Sequence, residues 1–229
     1  DAPDQTLVSM GNYVLKTPAL LAELHRNSKL EVTSHDFGRD ILQTAHQRLH
    51  VHAYDFSEQL PAGEKERARG YWRDVGTLDA YYEANMDLVS VEPRLNLYNE
   101  EWPIRGLQPL CGPAKFVFGD FATGRVGAAH DSIVGAGTIV SGGTLEHSIA
   151  AHRVRLNSHC HVKQSILFPG VDVGRGARLT RCIVERGVAI PQGEVIGEDP
   201  ERDRERFVVS EGGVVVVTRE SFGQVDEFD

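Results

Sequence analysis

The sequence predicts a chain of mixed class, α/β in its front part and a parallel β-helix behind it. Three observations carry that expectation. The front alternates strand-like and helix-like segments, and the last third repeats with a period of 17 residues. Between them runs a stretch rich in Pro, Gly and aromatics, LYNEEWPIRGLQPLCGPAKF. The expected divisions are an α/β part over 1–99, a linker over 100–130 and a coil domain over 131–229.

Leu7–Leu15 (LVSMGNYVL) has strand composition, and Thr17-Pro18 reads as an N-cap followed by Pro at the first helical position. Leu20, Leu21 and Leu24 then form the apolar stripe of a helix. A second helix follows Ser34-His35-Asp36, with Phe37, Ile41, Leu42 and Ala45 on one face. His50–Phe56 reads as a strand, PAGEKERAR as a solvated loop, and Tyr71–Val75 as a short strand. Thr77 caps a third helix whose buried face carries Leu78, Tyr81, Tyr82, Asn85, Leu88 and Val89. Alternating β and α elements imply a sheet covered by helices. The strands are too few for a whole α/β domain, so the chain reads as the distal part of one.

In the repeat, Val154, Val171 and Val188 align, as do Ile139, Leu156, Val173 and Ile190. Leu145, Val162, Leu179 and Ile196 make a third column, and Ile149, Ile166 and Ile183 a fourth. Gly143, Cys160 and Ala177 stay small, as do Ser148, Ser165 and Cys182. Each coil is a triangle of short strands that buries its apolar corners only by stacking on its neighbours, giving about three to four coils over residues 131–197. PERDRER is a charged segment, and Phe207–Val217 reads as a hairpin turning at Glu211-Gly212-Gly213.

Composition narrows the function. The 229 residues are 41% hydrophobic and 25% charged, with a net charge of −9, which argues against nucleic acid or an anionic membrane as partner. No apolar run reaches membrane-spanning length. Cys111, Cys160 and Cys182 have no metal-ligand spacing and read as reduced thiols, which points to the cytoplasm.

Asp74, in GYWRDVGT, lies between a strand signal and a helix, where α/β folds place ligands, and its carboxylate suits Mg²⁺. The competing reading is that Arg73 and Asp74 are a surface pair or a helix-entry cap. Strand alternation would put Ser9, Gly11 and Tyr13 on one face, a hydroxyl, a bare backbone and a phenol suited to a sugar, although an ordinary strand with one serine is the simpler reading. Asp36 is most simply an N-cap, with ligand contact as the lesser reading. His159 and His161 flank the inward Cys160 and should point outward, leaving a β-helix acyltransferase as a remote alternative. Arg153, Arg155, Arg175, Arg178, Arg181, Arg186 and Arg219 make the rear half locally basic; most read as solvated, and a few could converge on a phosphorylated effector.

The assembled blocks resemble bacterial ADP-glucose pyrophosphorylase, the glucose-1-phosphate adenylyltransferase family. They are VSMGNYV, SHDFGRDI, GYWRDVGTLDAYYEANMDLVS, LYNEEWPIR, PAKFV, the coil repeat and PQGEVIGEDPERDRERFVVSEGGVVVV. The resemblance implies a nucleotidyltransferase Rossmann-like α/β domain, here its distal half, and a left-handed parallel β-helix for regulation and assembly. It implies an enzyme of glycogen synthesis that joins ATP and glucose 1-phosphate into ADP-glucose and pyrophosphate, uses Mg²⁺, forms homotetramers and responds to sugar-phosphate and nucleotide effectors. By the same resemblance Ser9, Tyr13, Asp36, Phe37 and Trp72 are substrate-pocket residues, Asp74 is the catalytic metal-binding aspartate, and Arg186 and Arg219 bind effectors. The family's second arginine after the latter is replaced by Gly223. Its Gly-rich nucleotide loop does not occur in this sequence, so this chain alone is expected to be inactive. A non-catalytic regulatory or assembly subunit is the alternative.

Overall fold

A β-strand survives only where a neighbour takes up its backbone groups, and this rule separates the two ends of the chain. The computed structural model describes residues 8–106 and 109–224. It divides into two compact units, Asp1–Gln59 and Leu60–Asp229.

The first unit holds helix α1 (Thr17–Asn27), a π-helical turn over Phe37–Leu42 and the short helix α2 (Gln43–Ala45). Neither 8–15 nor His50–Phe56 forms the expected strand, since no strand among the described residues pairs with them. Helix α1 begins one residue earlier than the sequence indicates, with Lys16 as N-cap and Thr17 inside the helix. Its face is also reversed. Leu21 and Leu24 are 51% and 42% exposed, whereas Glu23 and Asn27 are buried. Glu23 stays ionised there because Arg48 and Arg26 both donate to it, at 2.8 and 2.9 Å. Those bonds, Arg48 first, hold its carboxyl down at about 2.

In the second unit, Tyr71–Val75 carries no strand, so this expected element is not formed either. Helix α3 (Leu78–Leu88) is capped as expected, the Thr77 hydroxyl accepting from the Ala80 N–H at 3.1 Å. Tyr82 and Val89 are buried, but Leu78 is 40% exposed. The PAGEKERAR loop contains a 3₁₀ turn over Glu66–Ala68, tied down by the Asn99 amide, which donates to the Ala62 carbonyl and to Glu64.

Three ladders of short, parallel-paired strands build the solenoid. One runs through Lys115–Val117, Ile139–Ser141, Arg155–Leu156, Asp172–Val173 and Ala189–Ile190. A second runs through Ala128–His130, Thr144–Glu146, His161–Lys163, Arg178–Thr180 and Val195–Ile196. The third stacks Ile133–Val134, Ile149–Ala150, Ile166–Leu167, Cys182–Val184 and Val215–Val217, closed by the antiparallel Val208–Val209. The solenoid is therefore of about four turns and takes in strands from 115 onward, within the stretch read as linker.

The register corrects one column. Val140, not Ile139, stands opposite Leu156, while Ile139 faces Arg155. The corner after Val140 is one residue shorter than the corner after Leu156, which a strict 17-residue count misses. Val140, Leu145, Leu156, Val162, Leu167, Val173, Leu179 and Val184 have no exposed surface. Adjacent strand residues face opposite ways, so the Ile166 and Ile183 column points outward and packs instead with Tyr82 and Val214.

The small column carries its own ladder. Ser132, Ser148 and Ser165 each donate to a carbonyl two residues earlier, at 2.6, 2.6 and 2.8 Å. Each hydroxyl also accepts an N–H from the next coil, that of Ser148, Ser165 and Cys182 respectively, at 3.1, 3.0 and 3.1 Å. The residues before them, Asp131, His147, Gln164 and Arg181, sit at positive φ, where the coil turns its corner. PERDRER is helix α4 (Pro200–Arg206), capped by Asp199 with Pro in its first turn. The hairpin that follows is the one expected from sequence.

Candidate functional site

Two of the sequence blocks meet within the first unit. The Ser9 and Tyr13 hydroxyls are 2.8 Å apart. Strand alternation does not bring them together. The chain turns at Gly11, at φ 74°, and the Gly11 N–H donates to Ser9 Oγ. The Tyr13 ring lies 5.6 Å from the Phe37 ring, tilted by 38°. A side chain at Gly38 would meet Asp36 Oδ1 and approach the Tyr13 hydroxyl. Hydroxyls, a ring pair and a carboxylate thus lie close together in this exposed part of the unit.

Asp36 has a structural task there as well. Its carboxylate accepts from the Arg39 N–H at 2.6 Å, capping the π-helical turn. The loop is held from behind by Asp40, which sequence reading did not single out. Asp40 accepts from the Thr33 and Ser34 hydroxyls at 2.9 and 2.7 Å and from the Asp36 N–H at 3.0 Å. These bonds, Ser34 first, hold its carboxyl far below the usual range. The available signal was the repeated short polar side chains of Thr33, Ser34 and Asp36 ahead of an acid, an Asx-type turn pattern.

Trp72 and Asp74 belong to the second unit. Trp72 is 42% exposed. Asp74 is exposed too, with Oδ1 accepting from the Gly76 N–H at 3.2 Å. The segment is anchored at its start, where the Tyr71 N–H donates to the Ala68 carbonyl and Arg94 lies 5.5 Å over the Tyr71 ring. Among the described residues no group of three or more His, Cys, Asp or Glu side chains is placed to hold an ion. A lone exposed carboxylate fits Mg²⁺ in the mode where the ion keeps waters and takes its other ligands from substrate phosphates.

Arg186 and Arg219 lie at one corner of the solenoid. Arg219 Nε donates to the Arg186 carbonyl at 2.9 Å, and its N–H donates to Glu185 at 3.0 Å. Its guanidinium covers Gly187, where a Cβ would fall 2.6 Å from Nη2. Gly223 ends the 3₁₀ turn Glu220–Phe222 at φ 63°, a conformation that favours glycine over arginine. His159 is exposed, and His161 lies 3.4 Å from Glu146, both turned outward as expected.

This architecture is a nucleotidyl transferase segment joined to a hexapeptide solenoid. Residues 1–91 match the nucleotidyl transferase family model, and 112–217 match the GlmU-like C-terminal hexapeptide model. The chain is similar to curated glucose-1-phosphate adenylyltransferases. It is 47% identical over 217 residues to the glucose-1-phosphate adenylyltransferase of Anaeromyxobacter sp. (strain Fw109-5), covering 95% of this chain and 53% of that protein. It is 48% identical over 218 residues to that of Paramagnetospirillum magneticum and 43% to that of Corynebacterium jeikeium, covering 50% and 52% of those proteins. The chain thus spans about half the length of the curated relatives it matches.

Proposed function

We propose that the gene product containing this chain transfers an adenylyl group from ATP to glucose 1-phosphate. A phosphate oxygen of the sugar phosphate bonds to the α-phosphorus of ATP, the bond to the β-phosphate oxygen breaks, and pyrophosphate leaves with ADP-glucose as the other product. The observation that carries this reading is the continuous match to glucose-1-phosphate adenylyltransferases over 95% of the chain, through both segments.

In this reading Ser9, Tyr13, Asp36, Phe37 and Trp72 are each residues that bind glucose 1-phosphate. The hydroxyls of Ser9 and Tyr13 take up sugar hydroxyls, and the Tyr13–Phe37 ring pair offers a flat wall. Asp74 is the catalytic and metal-binding carboxylate. Asp74 would hold Mg²⁺ through a hard carboxylate oxygen, and the ion would supply neutralisation of phosphate charge. Arg186 and Arg219 take a phosphorylated sugar or nucleotide effector. The product is a cytoplasmic homotetramer feeding glycogen synthesis, and this chain by itself does not turn over.

A panel of nucleoside triphosphates and hexose 1-phosphates, with the products identified by mass, tests the assignment. ATP with glucose 1-phosphate should exceed every other pair by at least tenfold. A clear preference for another nucleotide or sugar would reject it.

A further inference from the structure

The Asp79 carboxylate, in the first turn of α3, reaches the tip of the solenoid's terminal hairpin. It accepts from the Ser210 hydroxyl at 2.5 Å and from the Gly212 N–H at 3.0 Å. Ser210 Oγ in turn accepts the Val214 N–H at 2.9 Å, so the turn is built around the hydroxyl that Asp79 receives. From the solenoid side Arg181 donates to the Gly212 carbonyl at 2.9 Å and lies 5.0 Å over the Tyr82 ring. The Tyr82 hydroxyl donates to the Gln164 carbonyl at 2.7 Å, with Ile166, Ile183 and Val214 packed beneath it.

We propose that Asp79 is a positioning residue that fixes the start of α3, and with it the Asp74 segment, to the hairpin and its Arg219 end. Asp74 is tied to the helix start by a short route, its Oδ1 receiving Gly76 and Thr77 capping α3. In the other direction the hairpin strand Val215–Val217 leads directly to Thr218 and Arg219, and Arg219 covers the Arg186–Gly187 corner. A change at that corner can reach the carboxylate through the hairpin, the Asp79 clamp and the capped start of α3. The Ser210, Gly212 and Arg181 contacts all favour the charged carboxylate, Ser210 most, so the clamp is a charge-assisted one. This proposal rests on the reading of Asp74 as the metal-side carboxylate.

The test uses Asp79→Asn and Ser210→Ala, singly and together, in the complete gene product. The first readout is amide hydrogen exchange. Asp79→Asn should speed exchange several-fold at 208–216 and at 72–78 together, and faster exchange confined to 208–216 would overturn the coupling. The second is kinetic. Both single variants should raise the half-saturating Mg²⁺ concentration about 3- to 10-fold while kcat at saturation changes less than twofold, and the double variant should match the worse single one. Ser210→Thr, which restores a hydroxyl, should recover the Mg²⁺ dependence. Independent losses that multiply, or equal loss of kcat in all variants, would make Asp79 a stability residue and reject the role. Should the unaltered protein form no ADP-glucose, the functional reading fails, whereas the exchange experiment still decides the clamp.

Discussion

The Ser9 and Tyr13 hydroxyls lie 2.8 Å apart across the turn at Gly11. The contact is exposed, so its energetic worth to the fold is small, and two hydroxyls held side by side in solvent are placed to grip a polyol. Tyr13→Phe should raise the half-saturating glucose 1-phosphate concentration about 3- to 10-fold, the equivalent of about 1 kcal/mol for one hydrogen bond. The melting temperature should hold. An unchanged kinetic constant would remove Tyr13 from the pocket.

Glu23 gives the first unit an acid-sensitive joint. Its carboxyl is held down to about 2 in the folded state, from an ordinary 4.5, chiefly by Arg48. A depressed pKa means that its stabilising contribution is present above pH 4.5 and is lost as pH falls from there through about 2. Hydrogen exchange across 17–49 should therefore quicken in that window. Glu23→Gln should flatten this dependence and lower protection at neutral pH, because the arginines lose a charged acceptor.

Ser165 has no exposed surface and serves two coils at once. Ser165→Ala leaves the Cys182 N–H without its acceptor in the core, at a cost of about 1–3 kcal/mol. Thermal unfolding followed by circular dichroism should register a drop of several degrees. Ser165→Cys should be milder, since Cys182 already makes the equivalent sulfur-to-carbonyl contact at 3.2 Å.

Gly187→Ala tests the proposed effector corner with both arginines retained in the sequence. Glycine is at φ 68° there, and a Cβ would displace the Arg219 guanidinium. The variant should change the concentration of sugar-phosphate effector needed for half-response several-fold. An identical effector curve would move the site elsewhere.

Burial pushes the Cys160 and Cys182 thiols up to about 12. Alkylation at pH 8 in the folded state should therefore label Cys111, which is partly accessible, well before the other two. Rapid labelling of all three would contradict the solenoid packing.

The solenoid was legible because stacking repeats one environment every coil. Leu145, Val162, Leu179 and Ile196 occupy equivalent places and leave a periodic record. The Ile139 column failed where a corner shortens by one residue, a change that leaves a neighbouring valine to take the place. The front was less legible, because its strand signals are local and a strand needs a partner that local sequence does not name. Asp36 and Phe37 stood out through their block, yet the support from Asp40 did not, since its role lies in bonds to four preceding residues. Likewise Asp79 and Ser210 are 131 positions apart and carry no pairwise mark in a single sequence.

The central claim is tested most directly by supplying ATP, glucose 1-phosphate and Mg²⁺ in parallel to the complete gene product and to the isolated 229-residue chain. ADP-glucose and pyrophosphate should appear in equal amounts with the complete product and stay at background with the isolated chain. No ADP-glucose from the folded complete product, or comparable turnover by the chain alone, would contradict the account.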